Sequence, residues 1–470
     1  MSTVAFATLG CRLNQVDSQE LAASLAERGV RPVGFDERAD VVVVNTCTVT
    51  GRAEVSDRQM IRRARRQHPE ARLVVTGCWA QTDPAAVAAL AGVDVVVGNA
   101  DKPRLPEIVA ALVARDESGP AGPPSLAQPP ARAARAPGAP APGLTPHPGA
   151  RVEVSDIATA RTLTAITVPV GTPLGRSRAF LKVQEGCQHR CAFCIVPMAR
   201  GVSRSLDPKV VVDQARALIE RGHRELVLTG VDLGYYGADL LPRTSLAALV
   251  RALAELPGLR WLRLSSVLPA YFTTELLEVV TTCAVVAPHL HIPLQSGSDR
   301  VLRRMRRPYS VAMYRTLVER LATRIPGLGL GADVIVGFPG ETDDDFRCTR
   351  ALVDALPFSY LHVFGYSDRR GTEGAGLSER VPASTMARRS RDLRALAEMK
   401  SLAFRERLVG TEQEALVLEA RDRATGALVG LTGNYVEVTF EGADALMRTI
   451  TPLRILAADA SGTRGTPSGP

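Results

Sequence analysis

Three cysteines fall close together in the run QEGCQHRCAFC: Cys187, Cys191 and Cys194, spaced C-x3-C-x2-C. Thiolates this near one another hold zinc or an iron–sulfur cluster. A structural zinc takes four ligands. The other donor in the run, His189, lies between the first two cysteines, where it would strain a tetrahedral wrap. A [4Fe–4S] cluster takes one thiolate per iron. Three cysteines then leave one iron open to a substrate or cosubstrate. A second set of three is spread along the first part of the chain. Cys11 follows TVAFATLG, Cys47 follows VVVVNT and Cys78 follows RLVVTG. Cys283 and Cys348 lie in helix-like stretches without donor neighbours and read as inert.

The elements that must position these thiols follow from the apolar pattern. TVAFATLG, DVVVVNT, RLVVTG and VDVVVGN read as buried strands, with helix-like SQELAASLAERG and SDRQMIRRARRQH between them. That alternation predicts an α/β domain with a parallel sheet over residues 1–115. In such a sheet the strand ends share one edge, the edge at which open α/β sheets bind ligands. Cys11, Cys47 and Cys78 should therefore converge. Gly10 and Gly77 adjoin two of them, where backbone needs to approach closely. Residues 116–155 are rich in Pro, Ala and Gly and read as a linker. Over 173–405, six runs (AFLKVQ, ELVLTG, LRWLRLSS, HLHIPL, GADVIVGFP and YLHVFGYS) alternate with helical stretches and predict a partial (β/α)6 barrel. Cys187, Cys191 and Cys194 follow its first strand, on the face where such barrels do chemistry. Short strand-like runs over 408–460 predict a small β-barrel of the kind that often binds RNA.

The chain has 470 residues and a formal net charge of +8. Two arginine clusters, Arg58, Arg62, Arg63, Arg65 and Arg66, then Arg300, Arg303, Arg304, Arg306 and Arg307, favour a nucleic acid over a small acidic metabolite as partner. No apolar run approaches the roughly 18–20 residues that span a bilayer, and the start lacks a secretory pattern. The expected compartment is the cytoplasm, with no membrane partner. Disulfides are rare there, so eight cysteines point to metal, catalysis or burial.

C-x3-C-x2-C after a first barrel strand, with Phe193 just before the last cysteine, resembles the radical S-adenosylmethionine superfamily. Joined to TLGC, NTC and TGC upstream and to GCQHRCAFCIVPMARG, it resembles the methylthiotransferases over nearly the whole chain except the linker and the far C-terminus. TLGCRLNQVDSQE, NTCTVT and TGCWAQ are most similar to the branch acting on threonylcarbamoyladenosine in tRNA. The resemblance implies that Cys187, Cys191 and Cys194 hold a [4Fe–4S] cluster whose open iron chelates S-adenosylmethionine. It implies a second [4Fe–4S] cluster on Cys11, Cys47 and Cys78 that carries the sulfur. A 5′-deoxyadenosyl radical would then take the hydrogen from carbon 2 of the adenine, and a methylthio group would replace it. An aromatic C–H bond is too strong for acid–base chemistry, so a cofactor must do the hard step.

The same resemblance places Gly230 at the methionine amino group. Arg263, Ser265, Ser266, Gln295 and Ser296 would face ribose and carboxylate, and Ile335, Gly337 and Gly340 the adenine. Asp333 and Glu341 read instead as caps of the following helix. The implied partners are tRNA, an electron donor of flavodoxin or ferredoxin type and a sulfur source. The C-terminal module resembles the TRAM RNA-binding domain, with Tyr435 and Phe440 as its aromatics. Its deletion is expected to weaken tRNA binding. Met198 and Leu268 stand where the family often has Trp and Glu, which blurs the substrate. The alternatives are methylthiolation of isopentenyladenosine in tRNA or of a ribosomal-protein aspartate. A non-catalytic iron–sulfur redox protein or a zinc RNA-binding protein are the non-enzyme readings, and a barrel with Gly- and Ser-bearing strand ends argues against the carrier.

Overall fold

The computed structural model describes residues 2–116, 149–163 and 177–468. They form two compact units. The first holds the described residues up to Leu163 together with Cys194–Val202 and Arg369–Gly371, and the second holds the rest.

The first unit is built on β1 (Thr3–Thr8), β2 (Arg31–Val33), β3 (Val41–Thr46), β4 (Arg72–Gly77), β5 (Val95–Val97) and β6 (Arg151–Glu153). All neighbours pair in parallel, in the order β2-β1-β3-β4-β5-β6. Both faces are covered, which is why VVVV can run without alternation. Val41 and Val43 pack with Leu21 and Leu25 of helix α1 (Arg12–Glu27) and with Leu105 and Val109. Val42 and Val44 pack with Ile61 of helix α2 (Gly51–Gln67) and with Trp79 of the short helix α3 (Cys78–Thr82). Most of the stretch read as a linker lies outside the described residues. Its end does not behave as one, because Arg151–Glu153 adds a sixth strand beside β5.

The second unit contains β7 (Ala179–Lys182), β8 (Gln184–Glu185), β9 (Arg204–Ser205), β10 (Glu225–Thr229), β11 (Trp261–Leu264), β12 (His289–His291), β13 (Gly329–Val336) and β14 (Tyr360–Gly365). Strands β7, β10 and β11 form one parallel sheet and β12, β13 and β14 another, joined by a parallel bridge between Leu262 and Val286. These six strands in chain order, with helices between them, make the expected partial barrel. Along β13 the buried Leu330, Ala332, Val334 and Val336 alternate with Gly331, Asp333 and Ile335 on the other face.

The chain ends in a closed barrel of β15 (Glu412–Val417), β16 (Leu428–Thr432), β17 (Glu437–Phe440), β18 (Ile450–Asp459) and β19 (Gly462–Pro467). Its core contains Val417, Leu428, Val438, Phe440, Leu453 and Ile455. Arg263 on β11 joins it to the strands. This guanidinium, expected at the cosubstrate, is 0% exposed and paired with the equally buried Glu225 at 2.8 Å. It also donates to the carbonyls of Gly433 and Thr432 at 3.0 and 3.4 Å. Buried and bonded to Glu225 and to these two carbonyls, it serves to dock the C-terminal barrel. Tyr435 is used in the same joint, stacked on His289 with ring centres 4.4 Å apart and lying 5.1 Å from the Arg263 guanidinium. Phe440 is 3% exposed. Neither aromatic is presented for stacking on an RNA base.

The arginine clusters are also mostly consumed internally. Arg65 donates to the Gly92 carbonyl and to Asp94, Arg58 lies over Trp79, and Arg63 over Phe35. Arg300 pairs with Asp345, Arg304 with Glu379 and Arg306 with Glu373. Among the described residues only Arg62, Arg66 and Arg303 of the two clusters show no side-chain partner. No described helix is long and apolar enough to cross a membrane.

Candidate metal centres

The strand order places the first thiols. In the series 2-1-3-4-5 the chain reverses direction between β1 and β3, and the crevice at that switch point is the ligand site of such sheets. Cys11 follows β1 and caps α1, Cys47 follows β3, and Cys78 opens α3 directly after β4. Gly10, with φ +89°, lets the first loop close on the second: a Cβ there would lie 2.7 Å from the Cys47 sulfur. Gly77, with φ +101°, would meet the Asn45 side-chain oxygen at 2.6 Å. Both positions exclude a side chain so that three loops can meet.

Cys47 and Cys78 are each 5% exposed, while Cys11 is open to solvent. Burial pushes the Cys47 thiol up to about 12. A hydrogen bond from the Val49 backbone opposes this, and the Cys78 and Cys11 thiols and Asp57 add to it. The three sulfurs are thus within electrostatic reach of one another. Metal binding requires thiolates, so a cluster here would displace protons on binding. The residues fit that group: three convergent sulfurs, loops free of competing bulk, and donors around them. Asn99 reaches Cys78 Sγ at 3.8 Å and the Ala199 carbonyl at 2.8 Å. Asp57 accepts the Cys47 N–H at 3.1 Å. Asn14 donates to the carbonyls of Leu9 and Thr46, both at 2.8 Å, and accepts from Arg200 at 2.5 Å. Arg369 donates to the Thr48 carbonyl at 3.1 Å and to Glu54 at 2.7 Å.

Cys194 and the helix Val196–Arg200 group with this first unit, held through Arg200 and the Ala199 carbonyl. Cys187 and Cys191 lie in the second unit, after β7 and β8. The loop that bears them is organised by buried Gln184. Its amide donates to Gly186 O at 2.7 Å and to Ser203 at 2.8 Å, and its oxygen accepts the Asp232 N–H at 2.8 Å. Cys187 Sγ lies 3.6 Å from Asp232 Oδ2. Arg307 donates to Cys191 Sγ at 3.3 Å, a contact that places a guanidinium directly against this sulfur. His189 is turned to Tyr271, with Nε2 2.8 Å from its Oη. Tyr271 in turn donates to Asp232 at 3.0 Å.

The remaining expected contacts divide. Phe193 and Ile335 pack against one apolar cluster of Ala192, Val301, Met305 and Phe338. Ser265 Oγ and Gln295 Oε1 are buried without a hydrogen-bond partner among the described residues. Orphaned polar atoms of this kind suit a polar ligand. Ser266 is turned to His291, with Oγ 2.6 Å from Nδ1. Gly230 packs on Gln184, whose oxygen would lie 2.9 Å from an added Cβ. The Gly337 N–H donates to Glu341 at 2.8 Å, and Glu341 pairs with Arg389 at 2.7 Å, so Glu341 braces a loop rather than capping a helix. Gln184, Asp232, Asn99, Asp57 and Arg307 are not legible from spacing. Gln184 and Asp232 do sit in runs that carry the motifs, QEGC and TGVD, and the runs are the signal by which they could be found.

Residues 3–98 match the family model described as "Uncharacterized protein family UPF0004", and residues 181–353 match the radical SAM superfamily. The chain is 36% identical over 460 residues to the threonylcarbamoyladenosine tRNA methylthiotransferase MtaB of Bacillus subtilis, covering 97% of this chain and 94% of that protein. It is 35% identical to the ribosomal protein uS12 methylthiotransferase RimO of Symbiobacterium thermophilum, covering 91% and 81%. It is 32% identical to a tRNA-2-methylthio-N(6)-dimethylallyladenosine synthase of Leifsonia xyli, covering 91% and 74%. Among solved structures, the radical S-adenosylmethionine methyltransferase TsrM of Kitasatospora setae has a similar fold. The TM-score is 0.57 at 17% identity, over 80% of this chain and 77% of that one.

Proposed function

The chain belongs to the radical S-adenosylmethionine methylthiotransferases, and from that premise we propose that it methylthiolates carbon 2 of threonylcarbamoyladenosine at tRNA position 37, next to the anticodon. The observation that carries this substrate is the 36% identity over 97% of the chain to a relative named for it. The reaction type is supported by six cysteines at strand ends, three in each of two sets.

Cys187, Cys191 and Cys194 would hold one [4Fe–4S] cluster, and Cys11, Cys47 and Cys78 a second. Bound there with S-adenosylmethionine, these groups supply the electron, the radical and the sulfur that the reaction consumes. The protein's own part is placement. Gln184 fixes the loop of Cys187 from one side, and Arg307 holds Cys191 from the other. Ser265 and Gln295 offer unmet polar atoms to the sugar and carboxylate of S-adenosylmethionine. Phe193 and Ile335 present an apolar wall suited to adenine. Asn99, with one bond to the Cys78 sulfur and one to the Ala199 carbonyl, sets the position of α3. The partners are tRNA, a flavodoxin- or ferredoxin-type electron donor and a sulfur source, all met in the cytoplasm.

The test is mass spectrometry of nucleosides from total tRNA of cells with and without the gene. Loss of 2-methylthio-threonylcarbamoyladenosine, with its unthiolated parent accumulating, is expected. An unchanged level would sink the substrate and move attention to isopentenyladenosine and the ribosomal-protein aspartate. Iron and sulfide analysis of anaerobically reconstituted protein should give about eight irons per chain for two clusters. Colourless, zinc-loaded protein would overturn the cluster assignment.

A further inference from the structure

One group of titratable side chains includes none of the six cysteines and is given no part in the chemistry above. His291 on β12, Asp333 on β13 and His362 on β14 occupy three adjacent parallel strands. All three project from the sheet face opposite the buried Leu330, Ala332, Val334 and Val336. Their donor atoms all lie within 4.8 Å of one another. His291 Nε2 is 3.3 Å from Asp333 Oδ1, and His362 Nδ1 is 3.2 Å from the same oxygen.

We propose that His291, Asp333 and His362 form a binding site for zinc or another borderline divalent transition metal, separate from the cysteine centres. Four features carry this. Two imidazoles and one carboxylate are a donor set that such ions take, leaving at least one coordination position open. The two imidazole-to-carboxylate separations, 3.3 and 3.2 Å, match the edges of a coordination sphere, about 3.0–3.4 Å for bonds of about 2.1 Å in octahedral or tetrahedral geometry. His291 Nδ1 is held by Ser266 Oγ at 2.6 Å, which fixes the ring with Nε2 toward Asp333, the outer-shell arrangement usual for metal-binding histidines. His291 Nε2 is nonetheless buried and has no partner in hydrogen-bond alignment among the described residues.

Asp333 suits the anionic place. Burial works to raise its carboxyl, but the two imidazoles outweigh this and hold it well below the usual carboxylate range. His289, two residues before His291, is turned away to Tyr360 Oη at 2.8 Å and lies outside the set. His362 is 56% exposed, so an oxygen ligand such as water, a hydroxyl or a carboxylate has access from solvent to complete the sphere.

The proposal does not depend on which substrate is methylthiolated. Its test uses the holoenzyme with clusters reconstituted anaerobically, loaded with zinc and desalted. Zinc, iron and sulfide are then measured per chain. One retained zinc is expected in the wild type. Asp333→Asn and His362→Ala should each lower zinc affinity at least about 10-fold, and Ser266→Ala by about 10–100-fold, with iron and sulfide unchanged. His362→Ala alters a largely exposed side chain, so it reports on the site even where Asp333→Asn perturbs folding. X-ray absorption at the zinc edge should show only nitrogen and oxygen neighbours at about 2.0–2.2 Å. Sulfur neighbours at about 2.3 Å would put the zinc on cysteines and overturn the proposal. So would equal retention by wild type and His362→Ala, or no retention by the wild type.

Discussion

A cysteine serves as a metal ligand only as thiolate, and its neighbours decide how readily that form appears. The two sets differ in their surroundings. Cys47 is buried beside two other thiols and Asp57, with its thiol pushed up to about 12, while the Arg307 guanidinium lies against the Cys191 sulfur at 3.3 Å. Separate roles for the sets predict separable losses. Cys191→Ala should abolish formation of 5′-deoxyadenosine from S-adenosylmethionine. Cys47→Ala should leave that cleavage in place and lose the methylthio product. Chromatography of both products from one reaction checks this, and methylthio product from Cys47→Ala would end the assignment of the second set. The six cysteines proposed as ligands are legible in the sequence because C-x3-C-x2-C and a cysteine after each of three strands are local patterns. Their partners are not. Arg307 is 116 residues from Cys191, and Asn99 is 21 residues from Cys78. Such pairings exist only once the sheet is formed.

At the scale of elements, strands buried on both faces are easily read, since VVVV leaves few other options. Arg263 misleads because a charged residue at a strand end suggests a ligand contact. Its side chain instead enters the joint with the C-terminal barrel, where Glu225 neutralises it. Removing one partner of a buried ion pair leaves an uncompensated charge. Arg263→Met should therefore cost about 3–5 kcal/mol, and adding Glu225→Gln should recover much of it. Denaturant midpoints of the two variants measure the difference. The helix Asp343–Ala355 offers a milder case. Asp345 closes a capping box with Thr342 and also receives Ser298 and Arg300. Burial would raise its carboxyl, but these donors hold it well below the usual range. A depressed carboxyl contributes its stability fully above the unfolded value of about 3.9 and loses it as the pH falls through the folded value. Asp345→Asn should then be less stable by roughly 1 kcal/mol at pH 7. Below about pH 4 the gap should narrow. Thermal melts from pH 7 to pH 2 report both, and a gap that stays constant would remove the carboxylate's charge from the account.

For the whole molecule, a net charge of +8 promises a polyanion, but charge counted along a sequence overstates what reaches solvent as free cation. Most of the two arginine clusters is spent on Asp, Glu, backbone carbonyls and rings. The C-terminal barrel has likewise spent its aromatics, Tyr435 on His289 and Phe440 on its own core. Whatever tRNA affinity the barrel supplies must then come from guanidinium groups on its surface meeting phosphate, a mode without base stacking and strongly dependent on salt. Arg423, in the turn between β15 and β16, and Arg454, on β18, are exposed and have no side-chain partner among the described residues. Arg423→Glu and Arg454→Glu should each weaken tRNA binding. Each should also reduce the slope of log affinity against log salt by about 1 for every phosphate that the arginine neutralises. Deleting residues 408–470 is the poorer experiment, because it would uncover Arg263, Glu225 and His289 and confuse weakened binding with failed folding. Binding measured over a potassium chloride series separates the two. A shallower slope makes the barrel an electrostatic hold on the tRNA backbone. An unchanged slope makes it a structural cap on the open end of the strands, and the phosphates must then be met elsewhere, with Arg62, Arg66 and Arg303 the next to reverse.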